Sequence, residues 1–414
     1  MTSEICLMNR LSVVLAADSA ATVQYWNNQS QKYEERYFKG ANKIFQLSET
    51  HPVGVMVYDA ADLLGVPWEL VIKEFRRFLS ERSFPSVQGY VAELVGFINE
   101  NMKLFPNTVR EDEFFRNINQ AIYQSMFELK MAIEDQTIVA KPNFVDIATN
   151  LSDSDHAADA RIEGLLKHSD RIEKTISEIA QELELDVEKP FDSVLRSIIA
   201  KALDNIKRDS PQTGIVLAGF GDHSVFPELV KLSACRFWAD EFIVGSVETE
   251  ATGYDQPAYI SGFAQTSMTD TFHLGISDDI WMAMARGVGE AMRNLAIEIQ
   301  QTLGQTLTDP DLGAILGRAS ESIRASVLGH ARDNHAVPLR RVVGALPVDE
   351  MGHLAETLIN LQSLKEKVTR PSESVGGPVD VAAITKSEGL VWLKRKHYFS
   401  ADINARFFER RHKT

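Results

Sequence analysis

The second residue of this sequence is a threonine, and chemistry first becomes legible there. A threonine hydroxyl is a weak nucleophile at neutral pH. It acts only when a base of suitable strength takes its proton. Two charged residues stand next to apolar runs: Asp18 follows residues 11–17 (LSVVLAA), and Lys43 precedes residues 44–47 (IFQL). Singly, each has an ordinary explanation, because an aspartate after a strand often makes a turn and a lysine before one is usually solvated. Other chemistries lack the spacing they need. Cys6 and Cys235 are the two cysteines and have no His or Cys neighbours at ligand spacing, which sets aside a disulfide framework and a zinc site. Cys6 also lies inside the first apolar stretch, so it is rejected as a nucleophile. His223, His273, His335 and His353 share no ligand spacing. Gly219-Phe220-Gly221 lacks a third glycine, and Gly376-Gly377 precedes a strand, so neither is a phosphate cradle. No cofactor and no metal is expected.

The elements that must position these residues are readable from pattern. Residues 5–8 with 11–17 predict a hairpin, and 44–47 with 53–58 a second, with a polar loop over 24–40 between them. Residues 215–219 and 242–247 are further strand candidates, and 379–385 with 390–394 predict a last hairpin around Ser387-Glu388-Gly389. Residues 60–82 predict a helix with Pro67 in its first turn, and 86–208 a mostly amphipathic helical stretch interrupted by polar 150–159. Residues 268–300, 311–332 and 348–368 also predict helix. Widely separated strands with helices between them favour an α+β layered sandwich over alternating βαβ units. The 414 residues carry 43 Lys+Arg against 58 Asp+Glu, a net charge of −15, which argues against an electrostatic nucleic-acid binder. Apolar residues make up 44%, enough for a sizeable core, yet no run reaches the roughly 18 residues of a membrane span. A soluble, cytoplasmic protein is expected.

The segments Ala16-Ala17-Asp18-Ser19-Ala20-Ala21-Thr22 and Ala41-Asn42-Lys43-Ile44-Phe45-Gln46-Leu47 resemble the opening of proteasome β-subunits and of the HslV peptidase, N-terminal nucleophile (Ntn) hydrolases. The resemblance implies a four-layer αββα sandwich and amide hydrolysis by an N-terminal threonine. Carried over residue by residue, the family's aspartate is Asp18 and its lysine Lys43, and the family's step back from the aspartate lands on Thr2. The implied roles are Thr2, exposed by removal of Met1, as nucleophile and, through its amine of unperturbed pKa about 7.7–8.0, base, Lys43 as electrostatic activator, and Asp18 as the group that orients Lys43. The Asp18-to-Lys43 separation exceeds the family's, and the excess is assigned to the 24–40 loop.

Further segments extend the likeness. Residues 53–58 followed by Asp59 resemble the strand that runs into the family's first helix, where a glycine N–H binds the oxyanion; the equivalent here is Tyr58 or Asp59, so the glycine is absent. Residues 259–266 (YISGFAQT) resemble the strand entering a later helix, with Gly262 at the turn and Gln265 or Ser267 as polar contacts. Residues 375–381 (VGGPVDV) resemble the entry to the last hairpin; the family's auxiliary aspartate and serine fall on Ser372 and Val375, with Ser374 as a shifted substitute. The expected organisation is an Ntn core of 1–83 with 212–275 and 348–400, a helical insertion of 84–211, a helical extension of 276–347 and a basic tail of 401–414. The resemblance implies a peptide or amide substrate, a homo-oligomer of ring form, and an unfoldase or adaptor partner, with no nucleic acid and no membrane. Two alternatives stay open: an amidase for a small-molecule amide, and a catalytically inactive structural or adaptor subunit.

Overall fold

The computed structural model describes residues 2–27, 32–134, 166–185, 195–196, 198–201, 213–303, 309–369, 375–397, 399–400 and 403–405. The chain opens with β1 (Ser3–Asn9) and β2 (Ser12–Ala17), joined by a turn in which Asn9 Oδ1 accepts from the Leu11 and Ser12 N–H groups at 2.9 and 3.0 Å. That side chain replaces the ladder the turn cannot make, and the expected first hairpin forms. Residues 24–40, expected as a loop, lie within a second hairpin of β3 (Ala20–Asn27) and β4 (Lys32–Lys39), paired from Ala20↔Lys39 to Asn27↔Lys32. Next come β5 (Ile44–Gln46) and β6 (Val53–Asp59), the short β7 (Asp62–Leu63) and β8 (Val66–Pro67), and α1 (Trp68–Leu79), which starts directly after Pro67.

After α2 (Val87–Glu100), α3 (Asn107–Glu134) and α4 (Ser169–Glu182), the chain returns to strand as β9 (Thr213–Gly219), β10 (Glu228–Trp238), β11 (Glu241–Ile243), β12 (Ser246–Ala251) and β13 (Ala258–Ala264). The predicted helix over 268–300 is two helices, α5 (Ser267–Leu274) and α6 (Asp278–Leu303). They part at Gly275, whose φ of 76° and N–H bond to the Thr271 carbonyl close α5 in a left-handed cap. There follow α7 (Asp309–Ala331), α8 (Val337–Val343), α9 (Val348–Thr369), β14 (Asp380–Thr385) and β15 (Gly389–Lys394).

Besides the two-stranded β3–β4 and β7–β8 pairs, the described residues form two large antiparallel sheets, one in the order β13-β1-β2-β14-β15, the other β11-β10-β9-β6-β5 with β12 also on β10. Period-two alternation gives each central strand two apolar faces. Cys6, Met8, Val13 and Leu15 of the first sheet pack with Ile44, Met56, Val216 and Ala218 of the second. The outer face of the first sheet, with Ile5, Leu7, Val14 and Ala16, receives Met351, Ala355, Leu358 and Ile359 of α9. The outer face of the second, with Val53, Val55, Ile215 and Leu217, receives Val71, Ile72 and Phe75 of α1 and Tyr90 and Leu94 of α2. The fold is therefore a four-layer αββα sandwich. Full burial of one such side chain stabilises by about 1.5–3 kcal/mol, whereas an exposed pair like Lys73–Glu69 contributes about 0.3–0.5, so layer packing holds the sandwich.

Within 84–211, α2 lies in the helical layer beside α1, while α3 and α4 with Leu195, Ile198, Ile199 and Ala200 form their own apolar cluster against Trp238 at the end of β10 and Ile243 at the end of β11. A cavity of about 660 Å³ lies on that helical part, lined by Tyr123, Phe127, Thr175, Ile179 and Glu182 among others, and none of Thr2, Asp18 and Lys43 lines it. Among the described residues no helix is long and apolar enough to cross a membrane.

Candidate active site

Thr2 leads into β1, Asp18 follows β2, and Lys43 precedes β5, so the three converge where the two sheets meet at one end. Lys43 is fixed there by its own backbone, whose carbonyl accepts the Val57 N–H at 2.9 Å. All three are buried. The Thr2 carbonyl is anchored by the Gln265 N–H at 3.0 Å, which positions the chain start beside the end of β13.

Asp18 is the most heavily bonded group of the site. Its Oδ1 takes the Lys43 ammonium in a short charged hydrogen bond and the Ser3 N–H at 3.1 Å. Its Oδ2 takes the N–H groups of Gly376 at 2.7 Å and Ala20 at 3.3 Å. Four donors on one buried carboxylate satisfy it fully, and they fix the ion pair in one place. The Lys43–Asp18 contact proposed from sequence is thus present.

The Thr2 hydroxyl does not meet this pair directly. It donates to Glu4 Oε2 at 3.2 Å, and Glu4 Oε1 stands 3.1 Å from Lys43 Nζ, in ion-pair contact but outside hydrogen-bond geometry. Glu4 is the residue that sequence reasoning missed. A signal for it existed: Glu4 shares with Cys6 and Met8 the face of β1 that looks into the inter-sheet core, and a carboxylate on an otherwise apolar inward face needs a reason.

Burial pushes the Glu4 carboxyl up to about 7, with Lys43 pulling it down and Asp18 pushing it up. An unfolded glutamate titrates near 4.5, so between the two values the folded chain holds a proton that the unfolded chain has lost. Glu4 therefore favours folding most below the unfolded value, and that contribution is lost as pH rises through about 7. Glu4→Gln, which mimics the protonated form, is expected to be more stable than the natural chain at about pH 8, by about 1–3 kcal/mol, and equal to it near about pH 4. Chemical denaturation at both pH values checks this.

The other expected residues fall as follows. Tyr58 turns its ring into the inter-sheet core, 5.4 Å from Phe263, and a Cβ on the facing Gly214 would stand 1.9 Å from that ring. Its hydroxyl lies 3.4 Å from Ser233 Oγ, and burial pushes it up to about 12, so the side chain is a core group. Asp59 closes β6 with a φ of 66°, a conformation that suits glycine and that aspartate tolerates better than most residues. Burial pushes its carboxyl up, against Lys43, which pulls it down. Ser267 is bound to Gln362 and Lys365 of α9, at 3.2 and 2.8 Å. Ser372 and Ser374 lie outside the described residues. Cys6 is fully buried, and burial pushes its thiol far up, away from thiolate chemistry. Among the described residues no group of three His, Cys, Asp or Glu is placed to hold a metal.

No protein-family model matches the chain, and no curated protein matches it. Among solved structures, a Gly-1 mutant of Anbu from Hyphomicrobium sp. strain MC1 is 9% identical over 100% of this chain and 96% of that one, with a TM-score of 0.28. A helical assembly of the Anbu complex from Pseudomonas aeruginosa is 11% identical over 99% and 94%, with a TM-score of 0.30. Anbu, an ancestral β-subunit, from Yersinia bercovieri is 9% identical over 99% and 95%, with a TM-score of 0.26. At such scores the likeness gives no residue a role, and any role rests on the chain's own geometry.

Proposed function

We propose that the chain is an amide hydrolase acting on peptide bonds, with the Thr2 hydroxyl as nucleophile. One observation carries the reading: a buried Lys43 ammonium, paired with Asp18, stands 3.1 Å from the carboxylate that holds the Thr2 hydroxyl. A cation kept out of solvent in this way can stabilise negative charge developing on the attacking oxygen and on the carbonyl it attacks. Removal of Met1 frees the Thr2 amine, which takes the hydroxyl proton. The oxygen then adds to the substrate carbonyl, the C–N bond breaks as the Thr2 ammonium returns that proton to the departing nitrogen, and water hydrolyses the resulting ester. Lys43 favours the neutral amine, and Asp18 keeps Lys43 charged and aimed. The oxyanion is received near the end of β6, where the Asp59 backbone turns out of the strand.

In this reading 1–83, 212–275 and 348–400 form the catalytic core, 84–211 and 276–347 are additions that face partners or copies of the chain, and 401–414 is a basic tail. The protein is a cytoplasmic homo-oligomer. A non-catalytic proteasome-like subunit is the second reading, and the contact that favours it is Glu4, which takes the Thr2 hydroxyl where direct contact with Lys43 is wanted. Mass analysis of the native N-terminus followed by β-lactone labelling separates the two: a chain that starts at Thr2 and gains one acyl group there supports the hydrolase, and a folded chain inert to the lactone supports the subunit. Turnover of peptides against non-peptide amides then separates a peptidase from a small-amide amidase.

A further inference from the structure

One buried acid of the site is left without work by the amine-based mechanism, and it is the group in contact with the nucleophile. Glu4 sits on the central strand β1, facing the second sheet, with Ala17 and Phe263 as its cross-strand neighbours. The charged groups that act on it are Lys43, from the edge of the other sheet, and Asp18, from the end of β2. Neither neighbour on its own sheet carries charge.

Building on the reading of Thr2 as nucleophile, we infer that Glu4 is a further catalytic residue that stands in for the Thr2 amine as base, the acceptor of the Thr2 hydroxyl proton during attack and its donor to the leaving amine. Three observations converge on this role. The hydroxyl already donates to Glu4 Oε2, at a separation within reach of proton transfer. The second oxygen stands against Lys43, so the carboxylate keeps its orientation when Oε2 is protonated. Burial holds the carboxyl near neutrality, where an acid can both take and return a proton at working pH.

The proton and charge balance closes. The Thr2 O–H bond breaks, its proton goes to Glu4 Oε2, and the oxygen pair forms the bond to the carbonyl carbon. The negative charge passes from Glu4 to the tetrahedral oxyanion, so Lys43 faces the same total charge throughout. When the intermediate collapses, the C–N bond breaks and Glu4 returns the proton to the departing nitrogen, leaving an ester on Thr2. Water attacks that ester, gives its proton to Glu4, and Glu4 reprotonates the Thr2 oxygen as the acid product leaves. The sum is amide plus water giving acid plus amine.

The test is the rate of Thr2 acylation by a β-lactone, read by intact mass over about pH 5 to 9, for the natural chain and for Glu4→Gln. The natural rate is expected to rise with pH through about 7. Glu4→Gln keeps the shape but accepts no proton, and is expected to acylate about 10²–10³-fold more slowly above neutrality and to lose that limb. Glu4→Asp keeps an ionisable acid one methylene back. It is expected to retain a limb displaced along the pH axis, and it gives the same answer should Glu4→Gln not fold. Rates and limbs in the variants equal to those of the natural chain overturn the role of Glu4 and leave Thr2 as nucleophile. A folded natural chain that is acylated at no pH overturns the nucleophile as well, so the two failures are distinct.

Discussion

Thr2→Ala is expected to lower amide hydrolysis by at least about 10³-fold and to abolish acylation by a β-lactone, because it removes the proposed nucleophilic oxygen. The same change costs the fold little. The Thr2 carbonyl keeps its bond from Gln265, and the Ser3 N–H keeps its bond to Asp18, since neither involves the deleted hydroxyl. What is lost is one hydrogen bond to Glu4, worth about 1–2 kcal/mol to a charged acceptor. Near-natural thermal unfolding together with lost turnover is therefore the expected pair of results. Thr2→Ser, which keeps the hydroxyl, should retain hydrolysis. Turnover of Thr2→Ala at the natural rate would remove this residue from the chemistry altogether.

Lys43→Ala is expected to damage both activity and stability. Its ammonium is the cation that the structure pairs with two buried carboxylates, Asp18 and Glu4. Removing one partner of a buried pair typically destabilises by about 3–5 kcal/mol, because the remaining charge is left in a poorly solvated place. Asp18 retains its three backbone donors, so the uncompensated charge falls more heavily on Glu4, which has only the Thr2 hydroxyl. The loss should then depend on pH. With the cation gone the Glu4 carboxyl is pushed further up, so the variant sheds stability relative to the natural chain as pH rises and recovers part of it when Glu4 is protonated. A plain cavity would destabilise equally at every pH. Denaturant midpoints at about pH 5 and about pH 8, with unchanged slope, distinguish the two, and hydrolysis should fall by at least about 10²-fold.

Much of this was legible in the sequence, and the parts that were not have physical causes. The hairpins at 5–17, 44–58 and 379–394 announced themselves by apolar runs broken at turns, and all three form. The β3–β4 hairpin did not, because its strands mix Gln, Glu, Lys and Arg with their apolar residues and hide the alternation. β10, the longest strand among the described residues, shows no clean alternation because its register shifts between Leu232 and Cys235, where Ala234 takes a φ of 55° and breaks the period of two. Asp18 and Lys43 could be found because the segments 16–22 and 41–47 resemble those of proteasome-like hydrolases, whereas each alone passes for a turn residue or a solvated lysine. Glu4 carries no such mark, because the apolar run of the first strand starts at Ile5 and a charged residue just before it looks solvated. The Gly376 N–H that binds Asp18 was hidden for another reason, since a backbone donor leaves no trace in residue type.

The bond from Gly376 to Asp18 spans 358 residues, and β14 pairs with β2 along its whole length. The cradle around Asp18 is thus closed by a segment far downstream in the chain. A growing chain lacks the donor that completes the Asp18 cradle, and lacks the strand that shields it, until synthesis has passed residue 385. The buried Asp18–Lys43 pair therefore gains its full set of donors late, after the chain between β2 and β14 has been made.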